Sequence, residues 1–456
     1  MRGSLQQLVD AIPGARLVGL DASFEGVSTD SRKVEAGALF VALVGETFDA
    51  HDFLDQVVAR NVAAVVVSRL PEGWTLPAIV VPDTLVALGR IAHAWREQFA
   101  IPVIGVTGSN GKTTVKEMIA AILAAAVGED ARLATQGNLN NEIGVPLTLF
   151  RLDASHRAAV VELGMNHPGE IGRLSAIATP TVGLVNNAQR EHQEFMHTVE
   201  AVARENGSVL QALPGDGVAV FPGDDTYTEL WRGLAKCQVM TFGLSETCDV
   251  RATHTAGDFG SELRVSAPGA QFRIKLAAAG EHNVRNALAA IACALGAGID
   301  QAAIVRGLES FAPVGGRLQR KQASNGATVI DDTYNANPDS MRAAIDVLAA
   351  YPAPRILVVG DMGEVGAQGK EFHEEIGAYA ATRGIETVLA TGELARHLVA
   401  SGARHYEQFD ELLAALDEKL GGNTNSTVLV KGSRFMKMER VVQHLTGSTT
   451  IGKGAH

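Results

Sequence analysis

Aromatic side chains make up only 5% of this 456-residue chain, and it has three cysteines. Cys237, Cys248 and Cys293 have neither metal-ligand spacing nor an even count. A disulfide framework and a zinc module are therefore excluded, and a reducing, cytoplasmic setting is expected. No run approaches the ~18 uninterrupted apolar residues of a membrane span. The opening MRGSLQQLVDAI lacks the continuous apolar core of a secretory signal. Positive charge is in the minority, with 39 Lys plus Arg against 51 Asp plus Glu and a formal net charge of -12. General attraction to nucleic acid or anionic lipid is thus not expected, although a local basic pocket is allowed. There is no internal repeat and no long low-complexity tract. What is present, 46% hydrophobic and 20% charged residues with 48 glycines, is the composition of a turn-rich globular protein.

Short apolar runs alternate with longer helix-patterned segments, which predicts stacked α/β layers. ALFVAL (38–43), AAVVV (63–67) and AIVV (78–81) read as strands, and LDQVVARNV as a crossover helix. IPVIGV (101–106) opens a second unit, continued by AAVVEL (158–163), TVGLVNN (181–187), a helix over 198–213 and GVAVF (217–221). Weaker strands fall between 238 and 276, before an apolar helix over 284–298. After the Pro/Gly-rich APVGGR, the strands ATVIDD, RILVVG, TVLAT and TVLVKG form a third series. The expectation is three α/β domains over 1–98, 99–314 and 315–456. The first is small, the central one has a phosphate loop on a mostly parallel sheet, and the last is Rossmann-like.

The strongest local signal is the stretch from Gly105 to Thr114, GVTGSNGKTT. A buried strand enters a glycine-rich turn, and a helix starts after Lys112. Backbone N–H groups at such a helix start point outward and bind phosphate oxygens. Gly108 and Gly111 allow conformations that other residues resist, while Ser109, Asn110 and Thr114 complete the loop. Lys112 can neutralise a transferring phosphoryl group, and Thr113 can ligate Mg²⁺ through its hydroxyl. Val106 stands where the longer form of the motif needs glycine, so the match is to the shorter T-G-x-x-G-K-T. With no guanine-reading N/T-K-x-D segment, ATP is the expected nucleotide.

Further polar residues fall at strand ends, where open α/β sheets bind ligands. Glu162 closes AAVVEL and is a candidate Mg²⁺ ligand. His192 follows the next strand; a loop histidine is more often a surface hydrogen-bonder, and Mg²⁺ prefers oxygen. Asn283 and Asn286, at i and i+3, either contact a base or cap their helix. Arg317, after a Gly-Gly pair, either reaches phosphate or is a solvated linker charge. Asp332 lies in DDTYNANP, a turn dense in hydrogen-bonding side chains.

In order, TGSNGKTT, VVELGMN, NNAQREH, GEHNVRN, GGR and DDTYNAN resemble the Mur ligase family, ATP-dependent amide-forming enzymes of peptidoglycan synthesis. The resemblance spans essentially the whole chain. STDSRKVEAGALFVAL with FDAHDF, TQGNLNNEIGVPLTL, VVGDMGEVG and VLVKGSRFMKME are similar to the member that adds the terminal dipeptide. That likeness implies an ATP-dependent ligase joining D-alanyl-D-alanine to UDP-N-acetylmuramoyl-tripeptide through an acyl phosphate. It implies Lys112 on the ATP phosphates, and Thr113, Glu162 and His192 at the metals. Asn283 and Asn286 would lie beside adenine, with Arg317 and Asp332 at phosphate and ribose. Ser31, Arg32, Thr47, Asp49 and His51 would hold the UDP end, and Asn138, Asn140 and Asn141 the muramoyl-peptide. Lys431, Ser433 and Arg434 would meet the incoming dipeptide. A monomer with no nucleic-acid partner and no membrane insertion is expected.

Two positions depart from the family pattern. Asn206 stands where many relatives have a lysine, carbamoylated in some, and Ala50 replaces the glycine of D-G-H-D-F. The alanine is expected to fit if its φ is negative. Three rival readings remain: another amide ligase of the same family with a pteridine-glutamate acceptor, a nucleotide-binding regulator without ligase chemistry, and a structural or scaffold protein, which the many polar residues at strand C-terminal ends disfavour.

Overall fold

In the computed structural model, which describes residues 1–191 and 193–447, the expected strands assemble into three larger sheets and a small two-stranded one. The N-terminal sheet runs Arg16–Val18, Ala78–Val80, Ala64–Val67, Leu39–Val41, Val27–Ser28, and only its first strand is antiparallel. The expected crossover helix LDQVVARNV is present but short, Leu54–Val58, and follows a 3-10 turn at Ala50–Phe53. Ala50 is buried and is absent from the positive-φ positions, so it fits where the family motif has glycine.

The central sheet has nine strands. Val103–Thr107 lies between Ala158–Glu162 and Val182–Val185, all parallel, and the register sets Val106 beside Glu162 and Thr107 beside Val185. Every residue of these three strands is buried, as expected for a parallel sheet covered on both faces. Val218–Pro222, Gln238–Gly243 and Val250–Gly257 extend it in parallel, followed by two antiparallel strands, Gly260–Ala267 and Ala270–Leu276. The helix expected over 198–213 is two helices, Val199–Asn206 and Ser208–Gln211, meeting at Gly207. Leu234 Cδ1 packs directly against Gly207, 2.5 Å from where a Cβ would stand.

Alternation within the strands divides the central core. Ile104, Val106 and Val160 face one side, packed on the helices Lys112–Val127 and Glu281–Gly296. Val103, Ala159 and Val161 face the other, in a cluster that includes Leu88, Ile91 and Trp95 of the N-terminal helix Thr84–Arg96. The first unit is therefore joined to the second through a shared core. Arg96 tightens the junction: its buried guanidinium donates to the carbonyls of Ala178 (3.2 Å), Phe99 (2.5 Å), Ile101 (3.4 Å) and Thr179 (3.3 Å). Burial pushes its pKa down from the usual arginine range. Arg96→Ala leaves the buried Ala178 carbonyl and three half-buried ones without this donor, and a loss of about 2–4 kcal/mol is expected, read by hydrogen exchange in Thr84–Arg96.

The C-terminal sheet orders Gln319–Gln322, Thr328–Asp332, Thr427–Lys431, Arg355–Val359, Thr387–Thr391 and Arg404–Tyr406. Only the polar edge strand Gln319–Gln322, which sequence pattern does not reveal, is antiparallel. The last long strand, Thr427–Lys431, inserts between the first two parallel ones. That crossover puts Asp332, Val359 and Lys431 side by side at one sheet end.

Candidate nucleotide and ligation site

The phosphate loop is built as its composition requires. Gly108 (φ +134) and Gly111 (φ +82) both lie in backbone regions that favour glycine. A Cβ on Gly111 would come within 2.5 Å of Asn286 Oδ1 and 2.7 Å of Asn186 Nδ2. Gly111 caps the helix Lys112–Val127 without any side-chain hydrogen bond, leaving the helix start to an anion. Lys112 Nζ folds over the loop, donating to Gly108 O (2.6 Å), Ser109 O (3.0 Å) and Glu191 Oε1 (2.7 Å). The following strand's loop supports it: Ser109 N donates to Asn187 O (3.1 Å), and Asn110 N to Asn187 Oδ1 (2.8 Å).

Beside this loop, Glu162 is buried at the end of its strand. Its Oε1 accepts from Thr113 Oγ1 (3.2 Å) and Asn140 Nδ2 (2.9 Å), whereas Oε2 is buried without a hydrogen-bond partner. An orphaned carboxylate oxygen next to a threonine hydroxyl is an all-oxygen donor set suited to Mg²⁺. Among the described residues no three His, Cys, Asp or Glu side chains cluster as a metal cage. That also fits an ion whose other ligands are phosphate and water. His192 lies outside the described residues. Asn206 is fully buried; its Oδ1 accepts from Thr107 Oγ1 (2.8 Å), and its Nδ2 has no hydrogen-bond partner. An amide has no amine to carbamoylate, so no carbamate forms at this position.

The two asparagines of GEHNVRN do not cap their helix. Asn283 Nδ2 donates to Ala279 O (2.8 Å), Asn286 Nδ2 to Asn283 Oδ1 (3.1 Å), and Asn186 Nδ2 to Asn286 Oδ1 (2.9 Å). This buried chain of amides packs against Gly111 and shapes the phosphate loop from behind. Arg317 lies over the Tyr334 ring, 4.1 Å from its centroid, which holds the linker arginine at the domain junction. Asp332 Oδ2 pairs with Lys431 Nζ at 2.6 Å, and the same ammonium donates to Asn335 O at 2.8 Å. Ser433 Oγ accepts from Gly363 N (2.6 Å) and donates to Ala336 O (3.2 Å).

One cleft of about 1000 Å³ gathers these groups. Its walls include the loop from Ser109 to Thr114, then Asn138, Asn140, Asn141, Glu162, Asn283 and Asn286 from the central domain. Arg317, Asp332, Lys431, Ser433 and Arg434 line it from the C-terminal side. Asn138 and Asn141 are exposed, and Asn141 Oδ1 accepts from Ile143 N and Gly144 N. Sequence reading singled out none of Asn187, Gln189, Asp224, Arg285 or Glu364 individually, yet all line the cleft. Glu364 is non-glycine at φ +57, a strained backbone of the kind that concentrates at functional sites.

Ser31, Arg32, Thr47, Asp49 and His51 are not part of this lining; they belong to the N-terminal unit. Arg32 is exposed and folds onto Asp30 (2.9 Å). Ser31 is buried, and Thr47 is exposed beside Phe48, which stacks on Phe53 at 5.3 Å. Asp49 Oδ1 meets His51 Nδ1 at 2.6 Å, and Ser68 Oγ lies 3.2 Å from His51 Nε2. The order is that of a catalytic triad, but Ser68's own N–H donates to Nε2 at 2.9 Å. The ring lone pair is therefore taken, and the three residues brace a loop. The Arg69 guanidinium holds the Asp49 carboxyl down at about 2, against its usual carboxylate range.

A phosphate loop, a buried carboxylate with an unpartnered oxygen beside it and a second domain lining the same cleft mark a nucleotide-dependent enzyme of the α/β class. The family follows from comparison with known proteins. Three family models match: "Mur ligase family, catalytic domain" over 23–96, "Mur ligase middle domain" over 106–294, and "Mur ligase, glutamate ligase domain" over 316–434. The chain belongs to the Mur ligase family. A UDP-N-acetylmuramoyl-tripeptide–D-alanyl-D-alanine ligase of Escherichia coli (strain K12) is 40% identical, covering 98% of this chain and 99% of its own. A crystal structure of MurF from Acinetobacter baumannii superposes with a TM-score of 0.92 at 36% identity, over 98% of this chain and 99% of that one. MurF from Thermotoga maritima, in complex with ADP, matches with a TM-score of 0.84 at 26% identity, over 93% and 97%.

Proposed function

We propose that this protein is the ATP-dependent ligase that joins D-alanyl-D-alanine to UDP-N-acetylmuramoyl-tripeptide. The carrying observation is one cleft in which a phosphate loop and Glu162 face Lys431, Ser433 and Arg434 of the next domain. Kinship along the full chain to a ligase of that name supplies the substrates.

The chemistry answers a physical problem: a carboxylate is a poor electrophile, and an amine does not displace oxide from it. Transfer of the γ-phosphoryl group from ATP to the tripeptide carboxylate makes an acyl phosphate. The amine of D-alanyl-D-alanine then attacks, phosphate leaves, and the products are UDP-muramoyl-pentapeptide, ADP and phosphate. Lys112 and the helix start at Gly111 neutralise charge between two anions that otherwise repel. Thr113 and Glu162 would hold Mg²⁺, which supplies further charge neutralisation when bound, and His192 is assigned to the metal site by family likeness. Asn283 and Asn286 would face adenine, with Arg317 and Asp332 toward phosphate and ribose. The Ser31–His51 region would take the UDP end, Asn138, Asn140 and Asn141 the muramoyl-peptide, and Lys431, Ser433 and Arg434 the dipeptide. The working units are 1–98, 99–314 and 315–456, acting as a monomer in the cytoplasm. No helix of the described residues is long and apolar enough to cross a membrane.

Phosphate release from ATP and Mg²⁺, measured with the UDP-tripeptide in the presence and absence of D-alanyl-D-alanine, tests the assignment. Release is expected to require both. Equal release with a folate-type acceptor, or none with this pair, would remove it.

A further inference from the structure

The segment from Asn186 to Glu191 has two working sides. One supports the phosphate loop: beyond the Asn187 bonds, Ser109 Oγ donates to Gln189 O at 3.3 Å, and Gln189 N donates back to Ser109 Oγ at 2.9 Å. The other side is Arg190, which reaches the C-terminal domain. Its backbone N–H donates to Asp339 Oδ2 (2.9 Å), and its Nη2 donates to Asp339 Oδ1 (2.7 Å). Its Nη1 donates to Glu375 Oε2 (2.6 Å) and its Nη2 to Glu375 Oε1 (3.1 Å). The Phe372 ring lies 5.3 Å from the guanidinium carbon. Asp339 is in the first turn of the helix Pro338–Ala349, and Glu375 and Phe372 are on Gly369–Thr382. Next to this contact, Asn337 Nδ2 donates to Asn110 Oδ1 of the phosphate loop at 2.8 Å.

We infer that Arg190 is a positioning residue: it latches the C-terminal domain to the phosphate loop and so sets the amine side of the cleft against the phosphoryl side. The inference rests on the ligase reading of that cleft. Isolated surface ion pairs contribute little, but this one is a fork on two carboxylates, with side chains only 23%, 22% and 32% exposed. Domain interfaces within a chain are loose by default, so a bidentate contact at the edge of the site carries much of their relative placement. The planar five-donor guanidinium is what permits it; lysine cannot engage both carboxylates in this way. Attraction from Asp339 and Glu375 raises the Arg190 pKa above its ordinary value despite burial, and Arg190 heads the influences holding Glu375 below its own.

A loosened latch lets water reach the acyl phosphate. Water then attacks the activated carbonyl, phosphate leaves, and the starting carboxylate returns with no amide formed. Arg190→Ala should therefore raise phosphate released per pentapeptide formed from one to about threefold or more. It should also increase the ligand-free radius of gyration in small-angle scattering. The double variant Asp339→Asn/Glu375→Gln, which leaves the phosphate-loop side untouched, should do the same. Arg190→Lys should restore the ratio only in part. A ratio of one with unchanged compactness in both variants would overturn the inference. So would expansion in Arg190→Ala alone, because the arginine would then act through the phosphate loop. If the unmutated protein shows no dipeptide-dependent release, the ligase reading fails, and scattering still decides the latch.

Discussion

Lys112→Ala is expected to lower dipeptide-dependent phosphate release at saturating substrate by at least about a hundredfold, the scale seen when one preorganised transition-state donor is lost. The reason is geometric. Lys112 is the first residue of its helix, and its ammonium is already drawn over the loop by the Gly108 and Ser109 carbonyls. A γ-phosphoryl group on the loop would meet that charge without rearrangement of the backbone. Alanine removes the charge but keeps Gly108 and Gly111, so the loop conformation and the fold should survive. Steady-state phosphate release, read beside a thermal melt that moves by no more than a few degrees, separates lost chemistry from lost structure. Arginine should not rescue: the Nζ seat, 2.6 and 3.0 Å from two carbonyl oxygens, suits a compact ammonium rather than a planar fork.

The largest stability effect is expected at Lys431. Its side chain and that of Asp332 are 4% and 12% exposed and meet at 2.6 Å, on neighbouring strands whose register sets them side by side. Asp332 is further tied by the Leu318 N–H at 3.1 Å, so it cannot swing into water without breaking the start of the domain. Lys431→Ala leaves this carboxylate buried and uncompensated, and a loss of about 3–5 kcal/mol is expected. With three domains the unfolding is not a single transition, so hydrogen exchange in Thr328–Asp332 and Thr427–Lys431 is the readout. Lys431→Met with Asp332→Leu should be milder than Lys431→Ala, because the pair is then replaced by apolar packing instead of broken.

Local features of the site were legible in sequence, and distant ones were not. The phosphate loop could be read because its requirements are contiguous: a buried strand, glycines at positive φ and a lysine opening a helix. Glu162 could be read because strand ends on a parallel sheet face the ligand crevice. Arg190 could not, since its carboxylate partners lie 149 and 185 residues further on. Asn283 and Asn286 left cap and base contact open; the fold adds a third role, an amide chain behind Gly111 that ends on Asn186. The helix over 198–213 kept a helical pattern through Gly207, which itself has right-handed helical dihedrals, so the pattern did not reveal the break. Lys431 carries a constraint invisible from its motif, since its ammonium is held by Asp332 and Asn335 within the wall of the cleft.

The central claim, that this cleft activates a carboxylate by phosphorylating it, has one direct test. UDP-tripeptide carrying ¹⁸O in its terminal carboxylate is turned over with ATP, Mg²⁺ and D-alanyl-D-alanine, and the released phosphate is weighed by mass spectrometry. An acyl phosphate hands one labelled oxygen to each phosphate released. Unlabelled phosphate accompanying pentapeptide formation would contradict the account.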